Sequence, residues 1–164
     1  MGTKALVIVN DKSLYDETLP YEKNNPIVAS MYCQYDGYLQ GVGVQLSEFL
    51  KDMTIVNGLS NNDKNVSNGM GCLAAQLISH FKKEAGGFYL TPIYDLQDIL
   101  NIKSDIWVDW VYVIDKNNIS VYSLDLEEGT GEDEHKEVFN KKIDKSWKDY
   151  CDLMNQDTFN YFVA

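Results

Sequence analysis

Short apolar runs separated by polar connectors mark two strands near the start of the chain. Residues 5–9 read ALVIV, a run that is typical of a buried strand. Residues 11–26 are mostly polar and contain Pro20 and Pro26, which predicts a long loop. The run IVASMYCQ at residues 27–34 predicts a second strand, antiparallel to the first.

Two amphipathic helices follow these strands. Residues 44–51 and 73–83 carry apolar side chains at the spacing that places them on one helical face. Two glycines separated by one residue precede each helix, at residues 41–43 and 69–71. Because all amphipathic helices share this apolar spacing, we interpret the similarity of the two helix starts as coincidental. The glycines at residues 86–87 end the second helix.

The remainder of the chain predicts three more strands and a last helix. FYLT at residues 88–91 predicts a short strand. Residues 107–114 and 119–124 are β-rich and flank an Asn-containing turn, which predicts a β-hairpin. Residues 125–137 are acidic and contain glycine, and they predict an exposed loop. Residues 138–154 have apolar side chains at helical spacing and predict a helix.

This order of elements predicts an α+β fold. We expect a single domain over residues 1–164. It would contain a mostly antiparallel sheet of about five strands, with two or three helices packed on one face. Residues 95–100 have room for one or two helical turns and are the least defined part of this prediction.

The charge balance narrows the choice of partner. The chain has 14 basic and 25 acidic residues, a formal net charge of −11, and no arginine. Binding to nucleic acid needs a basic face for the phosphates, so we expect no direct nucleic-acid contact. Bidentate binding of phosphate by arginine is also excluded. An acidic surface favours a partner whose own surface is basic.

Cysteine content and the N-terminal sequence indicate an intracellular protein. The chain has an odd number of cysteines, Cys33, Cys72 and Cys151, and they lack the spacing of a disulfide framework. The apolar run at residues 5–9 lacks the organisation of a signal peptide, and no apolar stretch reaches membrane-spanning length. We therefore expect a cytoplasmic protein that does not bind a membrane.

The segment NGMGCLAAQLI at residues 68–78 is the strongest candidate for chemistry. A helix N-terminus presents free N–H groups and partial positive charge, so Gly69 and Gly71 would hold an anionic, nucleotide-like ligand through the backbone. An ordinary tight turn is the alternative. Since the segment lacks a P-loop lysine and a full Gly-x-Gly-x-x-Gly fingerprint, we predict no cofactor. The predicted polar lining of the pocket is Gln34, Asp36, Asn68, Gln76 and Tyr89.

Cys72 is the fallback candidate for catalysis. It lies in the first turn of this helix, where the helix dipole favours a thiolate, but a cysteine hydrolase also needs a base, usually histidine. His80 lies about 12 Å further along the same helix at about 1.5 Å per residue, and His135 lies in the acidic segment. We favour a packing role for Cys72. The scattered His, Cys and acidic residues fit neither a zinc site nor an EF-hand loop, so no metal site is predicted.

An acidic and aromatic surface is the remaining candidate. Tyr15, Tyr21, Tyr35 and Tyr38 lie in predicted loops and would anchor a contact with a protein partner, with Tyr35 and Tyr38 chosen as the contact residues. The alternative is that the acidic surface only keeps the protein soluble. The acidic residues predicted to meet a basic partner are Asp125, Glu127, Glu128, Glu132, Asp133 and Glu134.

Several motifs together resemble a family of small proteins from phages and large DNA viruses. The shared motifs are a Met-Gly-Thr start, Gln-x-Asp-Gly-Tyr at residues 34–38, Gly-Val-Gly at 41–43, NGMGCLAAQ at 68–76 and GGFYL at 86–90. The resemblance implies a viral origin and action inside a host cell. It implies no catalytic residues.

These observations lead to three hypotheses. The first is a non-enzymatic protein that inhibits a host protein, such as a CRISPR-type nuclease, by covering its basic, nucleic-acid-handling surface. The second is sequestration of a nucleotide-like signal at the glycine-rich helix start. The third is hydrolysis that depends on Cys72.

Overall fold

The computed structural model describes residues 2–20, 24, 26–58, 65–93, 96–102, 107–128 and 135–156, with the backbone alone at 126–128 and 135–137. The strands are β1 (Ala5–Asn10), β2 (Ile27–Cys33), β3 (Thr54–Val56), β4 (Val66–Asn68), β5 (Phe88–Leu90), β6 (Trp110–Asp115), β7 (Asn118–Glu128) and β8 (His135–Ser146). The helices are α1 (Val44–Leu50), α2 (Gly69–Phe81), α3 (Leu96–Leu100) and α4 (Trp147–Met154). A 3₁₀ turn (Lys12–Leu14) follows β1, and a π-helical turn (Leu39–Gly43) leads into α1.

Six of the strands form one sheet in the order β5-β2-β1-β6-β7-β8. β1 and β6 are parallel, and the other neighbouring pairs are antiparallel. β3 and β4 form a separate parallel pair. The α+β prediction is therefore confirmed, with a main sheet that is mixed and has more strands than expected.

The core lies on both faces of the sheet. Every residue of β1 is buried. Val7 and Val9 belong to the core that the sheet forms with α1, α2 and α4, whereas Leu6 and Ile8 belong to a second cluster on the opposite face. This burial on both faces explains why residues 5–9 of β1 are continuously apolar rather than alternating.

The helices divide between these two faces. α1, α2 and α4 lie on a single face, as predicted, but α3 contributes Ile99 to the cluster on the other face. That face carries Leu6, Ile8 and Val111, which need apolar cover, so the expectation that all helices share one face is wrong for α3. No helix within the described ranges is both long enough and apolar enough to cross a lipid bilayer.

The largest difference from the sequence prediction lies in the C-terminal part. Of the predicted loop at 125–137, the described residues are strand, because β7 continues to Glu128 and β8 begins at His135. The predicted helix over residues 138–154 is wrong up to Ser146, which ends β8. α4 accounts for the remainder, Trp147–Met154.

A β-bulge in β8 explains the misleading spacing. Phe139 and Ile143 are four residues apart, as on one helical face. The pairing of β8 with β7 skips Lys142, and an extra residue of this kind reverses the alternation of side chains beyond it. Phe139 and Ile143 consequently pack on opposite faces of the sheet.

Candidate functional site

A tightly packed, glycine-rich turn joins β2 to α1. A Cβ atom added to Gly37 would lie 2.7 Å from the Cβ of Ala5 and 2.9 Å from its backbone nitrogen. A Cβ atom added to Gly41 would collide with the backbone oxygen of Asp36. Both positions therefore require glycine, because the neighbouring backbone leaves no room for a side chain.

Backbone hydrogen bonds fix the conformation of Asp36 within this turn. Its φ angle is 55°, in the left-handed region that residues with a side chain seldom adopt. The backbone oxygen of Asp36 accepts a hydrogen bond from Val42 N at 2.8 Å, and the N–H of Gly37 donates to Thr3 O at 2.9 Å. The turn is thereby bonded both to itself and to the segment that precedes β1.

Two buried tyrosines support the turn from the core. The hydroxyl of Tyr112 donates to Gly37 O at 2.8 Å, and the hydroxyl of Tyr150 donates to Gly43 O at 2.6 Å. Burial raises the pKa of both hydroxyls. Both tyrosines are consequently protonated donors at neutral pH.

Of the predicted anchor residues, Tyr35 and Tyr38 are exposed on this rigid backbone. Tyr15 lies beyond the other end of β1, and Tyr21 lies outside the described residues. Their exposed fractions are 57% and 37%. The hydroxyl of Tyr38 donates to Asp36 Oδ1 at 3.2 Å, and the negative charge of Asp36 raises the pKa of Tyr38. Gly2 packs closely against Tyr35, since a Cβ atom on Gly2 would lie 2.6 Å from the ring Cδ1.

Trp107 is a further exposed aromatic residue at the same end of the sheet, where β1 and β6 begin. It is 70% exposed, which is high for a large apolar side chain. Ala5, at the start of β1, pairs with Cys33 of β2 and with Trp110 of β6. Because Tyr35 follows β2 and Trp107 precedes β6, both residues lie at this end of the strands, on either side of β1. The run IWVDWVYV predicts a strand that includes Trp107, because a strand pattern does not show which residue is exposed, whereas β6 begins only at Trp110.

We call Tyr35, Asp36, Tyr38 and Trp107 the aromatic edge. β7 and β8 extend beyond the sheet at this edge as a two-stranded ribbon. In the described structure β6 pairs with β7 as far as Ser123, whereas β7 and β8 remain paired up to Glu128 and His135. At about 3.3 Å per residue, the ribbon projects by about 15 Å.

Of the acidic residues predicted to contact a partner, some lie in this ribbon. Glu127 and Glu128 belong to β7, and Glu132, Asp133 and Glu134 lie outside the described residues. Asp125 is partly neutralised, since its Oδ2 lies 2.6 Å from the Nζ of Lys142 and accepts a hydrogen bond from Asn140 at 2.9 Å. These contacts with Lys142 and Asn140 lower the pKa of Asp125.

The start of α2 has the open glycines that an anion site would use. Gly69 has a φ angle of 81°, which favours glycine. A Cβ atom on Gly69 or Gly71 would meet no atom within 4 Å. Asn68 makes no side-chain hydrogen bond to the helix, and its Oδ1 accepts one from Gly58 N at 2.9 Å.

Gln76 joins α2 to β4. Its Oε1 accepts a hydrogen bond from the buried hydroxyl of Ser67, and its Nε2 donates to Val66 O at 3.1 Å. The Sγ of Cys72 lies 3.6 Å from the same Oε1. Since both ends of the Gln76 amide are bonded within the protein, this side chain contributes to folding rather than to an open pocket.

Cys72 has no contact with His80. The imidazole of His80 packs against Phe49, with 5.3 Å between ring centroids, and against Phe81 at 5.4 Å. Within the described ranges, no three His, Cys, Asp or Glu residues form a cluster that would hold a metal ion. His80 is therefore not positioned as a base for Cys72.

Two other predicted pocket residues, Gln34 and Tyr89, lie near the opposite end of α2. Gln34 lines a cleft of about 510 Å³ together with Phe81, the last residue of α2. At about 1.5 Å per residue, Phe81 lies about 18 Å along the helix axis from Gly69. The predicted lining is consequently split. Asn68 precedes α2, Gln76 lies in its middle and is bonded to β4, and Gln34 and Tyr89 lie beyond its end. Asp36 lies in the turn between β2 and α1.

Comparison with known proteins gives no relative for this chain. No protein-family model, curated protein or solved structure matches it.

Proposed function

We propose that this protein is a non-enzymatic binding protein that acts in the cytoplasm of a host cell. It would cover the basic, nucleic-acid-handling surface of a host protein, for example a CRISPR-type nuclease of a defence system. The observation that carries the proposal is the aromatic edge, where exposed aromatic side chains lie at the same end of the sheet as a ribbon that carries acidic residues. The viral context rests on the resemblance of its motifs to those of phage and large-DNA-virus proteins.

The rigidity of the aromatic edge supports a role in binding. Tyrosine and tryptophan are enriched among the residues that dominate binding free energy at protein interfaces. Because Gly37 and Gly41 fix the backbone around Asp36, Tyr35 and Tyr38 lose little backbone freedom when a partner binds. Such preorganisation reduces the entropy cost of association.

The charge supports a basic partner. A net charge of −11 attracts a positively charged surface over long range and raises the association rate at low ionic strength. Asp36 lies within the aromatic edge, and Glu127 and Glu128 lie in the adjoining ribbon. Carboxylates at these positions would take the place of nucleic-acid phosphates on the partner.

The two alternative hypotheses have weaker support. Sequestration of a nucleotide-like ligand rests on the open glycines of α2, but Gln76 is bonded to β4, and Gln34 and Tyr89 lie near the opposite end of the helix. Hydrolysis by Cys72 lacks a base from His80, which packs between phenylalanines.

The first test is affinity capture from a host lysate at low and high salt, with the bound proteins identified by mass spectrometry. We expect one stoichiometric nucleic-acid-handling protein, released at high salt because exposed charges are then screened. Added nucleic acid should compete for the same surface. Capture of no protein at either salt concentration would overturn the proposal.

Variants then locate the contact on the aromatic edge. We expect Tyr35→Ala combined with Tyr38→Ala to weaken binding of the captured protein by about 30-fold or more, the loss typical of a dominant interface residue. Tyr15→Ala is the matched control, because Tyr15 is 46% exposed and lies at the other end of β1. Equal losses in both variants would contradict a specific contact at the aromatic edge.

Two further variants separate the alternatives. Gly71→Val would fill the open space at the start of α2 and abolish ligand sequestration without affecting occlusion. Cys72→Ala would abolish hydrolysis alone. Loss of activity in either variant with full activity in the tyrosine variants would replace the proposal by the corresponding alternative.

A further inference from the structure

The cleft that Gln34 lines opens directly beside the aromatic edge. It lies between the end of α2 and the start of β5 and has a volume of about 510 Å³, within the range of about 300–1,000 Å³ that ligand sites occupy. Tyr35 of the aromatic edge forms part of its wall, and the rest of the lining comes from Gln34, Phe81 and residues 83–88. A partner that contacts Tyr35 would therefore also meet this cleft.

Hydrogen bonds hold the rim of the cleft in place. The Nζ of Lys82 donates to Gly86 O at 2.9 Å and to Phe88 O at 2.8 Å. The backbone N–H of Gln34 donates to Gly87 O at 2.8 Å, which joins the rim to the residue that follows β2. Because the rim is bonded in this way, binding in the cleft would cost little ordering of the backbone.

The walls of the cleft are aromatic. Phe81 and Phe88 pack edge to face, with 5.4 Å between their ring centroids. Tyr35 is exposed, and Gly2 packs against its ring. The face of such a ring attracts a cation and stacks well with a planar one.

The charges around the cleft favour a positively charged occupant. No described residue forms an ion pair or a hydrogen bond with the carboxylate of Glu84. The positive charge of Lys83 is bound elsewhere, since its Nζ donates to Ser79 O at 2.8 Å in the last turn of α2. The cleft also lies at the C-terminal end of α2, where the helix dipole places partial negative charge.

We propose that this cleft binds an arginine side chain of the basic partner, with the guanidinium stacked on Tyr35 and its N–H groups directed to the carboxylate of Glu84. Arginine meets both requirements, because its guanidinium is planar and its paired donors match a carboxylate. A lysine ammonium is a compact point charge and would gain less from the aromatic wall. The origin of the arginine rests on the proposed function, whereas the preference of the cleft for arginine can be measured without the partner.

An NMR titration with two blocked amino acids of equal charge tests the cleft. N-acetyl-arginine amide should shift the backbone amide signals of residues 84–88, and N-acetyl-lysine amide should bind there about 3-fold more weakly. Glu84→Gln should weaken the binding of the arginine amide by about 5-fold or more, because the paired carboxylate is lost. Glu17→Gln is the matched control, since it removes the same charge from an exposed position beyond the other end of β1. Tyr35→Leu should remove the preference for arginine over lysine.

The outcomes distinguish this cleft from the proposed function. Equal shifts with both blocked amino acids, or undiminished arginine binding in Glu84→Gln, would overturn the arginine cleft. Selective arginine shifts at residues 84–88, with no protein captured from the lysate, would support the cleft and overturn occlusion. A captured partner that binds Glu84→Gln as tightly as the wild type would leave occlusion standing and show that the partner places no arginine in the cleft, which contradicts the inference.

Discussion

The glycines in this chain differ in how much space their surroundings leave for a side chain. Gly37 and Gly41 lie where neighbouring backbone leaves no space for a Cβ atom. Gly71 lies inside α2 with open space around it. These glycines occur in similar sequence motifs. However, only Gly37 and Gly41 are needed to avoid a steric clash, and Gly71 is not.

This difference predicts opposite effects of the same substitution. Gly41→Ala should lower the free energy of unfolding by about 1–3 kcal/mol, because its Cβ meets the backbone of Asp36 rather than a movable side chain. Gly71→Ala should raise it by about 0.5–1 kcal/mol, because alanine is the better helix former. Urea denaturation measures both, and equal effects would contradict the steric argument.

At the scale of elements, α4 begins where β8 ends. Ser146 is the last residue of β8 and caps the helix, since its Oγ accepts a hydrogen bond from Asp149 N at 3.1 Å. Trp147 then anchors the helix start, with its Nε1 donating to Asn118 O at 3.0 Å. The change from strand to helix therefore has a local signal in the cap, even though helical spacing begins earlier in the sequence.

Loss of the cap should destabilise the protein. Ser146→Ala should lower the free energy of unfolding by about 1 kcal/mol, the usual cost of removing an N-cap. Ser146→Asp is the matched control, because aspartate retains an acceptor and its charge is favourable at a helix N-terminus. If urea denaturation gave the same loss for both variants, the capping interpretation would be rejected.

Secondary structure was predictable where the local pattern was unambiguous. β1, β2, the cores of α1 and α2, and the hairpin of β6 and β7 are all confirmed. β8 was mistaken for helix because the bulge at Lys142 breaks the period-two alternation. The positions of the predicted pocket residues depend on the path of α2 across the sheet, which no local pattern contains.

At the scale of the whole molecule, buried ionisable groups make the stability of the fold depend on pH in the alkaline range. Burial raises the pKa of Cys33 from 9.0 to about 12 and raises those of Tyr112 and Tyr150 above their usual value of 10.0. The folded state thus disfavours their deprotonation, whereas the unfolded chain does not. These groups contribute full stability below the unfolded pKa values, and that contribution is lost as the pH rises towards the folded values.

Stability should therefore fall as the pH rises above about 9. The urea midpoint measured between about pH 8 and pH 11 should decrease steadily as first the thiol and then the phenols ionise in the unfolded chain. Cys33→Ala should reduce the earliest part of this decrease, and Cys151, whose pKa burial also raises, should keep the remainder. A constant midpoint up to about pH 11 would contradict this expectation.

The sequence by itself determined the α+β class, most of the early strands and helices, the acidic character and the glycines, because these depend on local periodicity and composition. Tertiary structure alone decided which residues meet. It separated Gln34 from Asn68 and left Trp107 exposed at the same end of the strands as Tyr35. Strand neighbours, register and the bulge set these relations, and they arise from pairing between segments that are distant in the sequence.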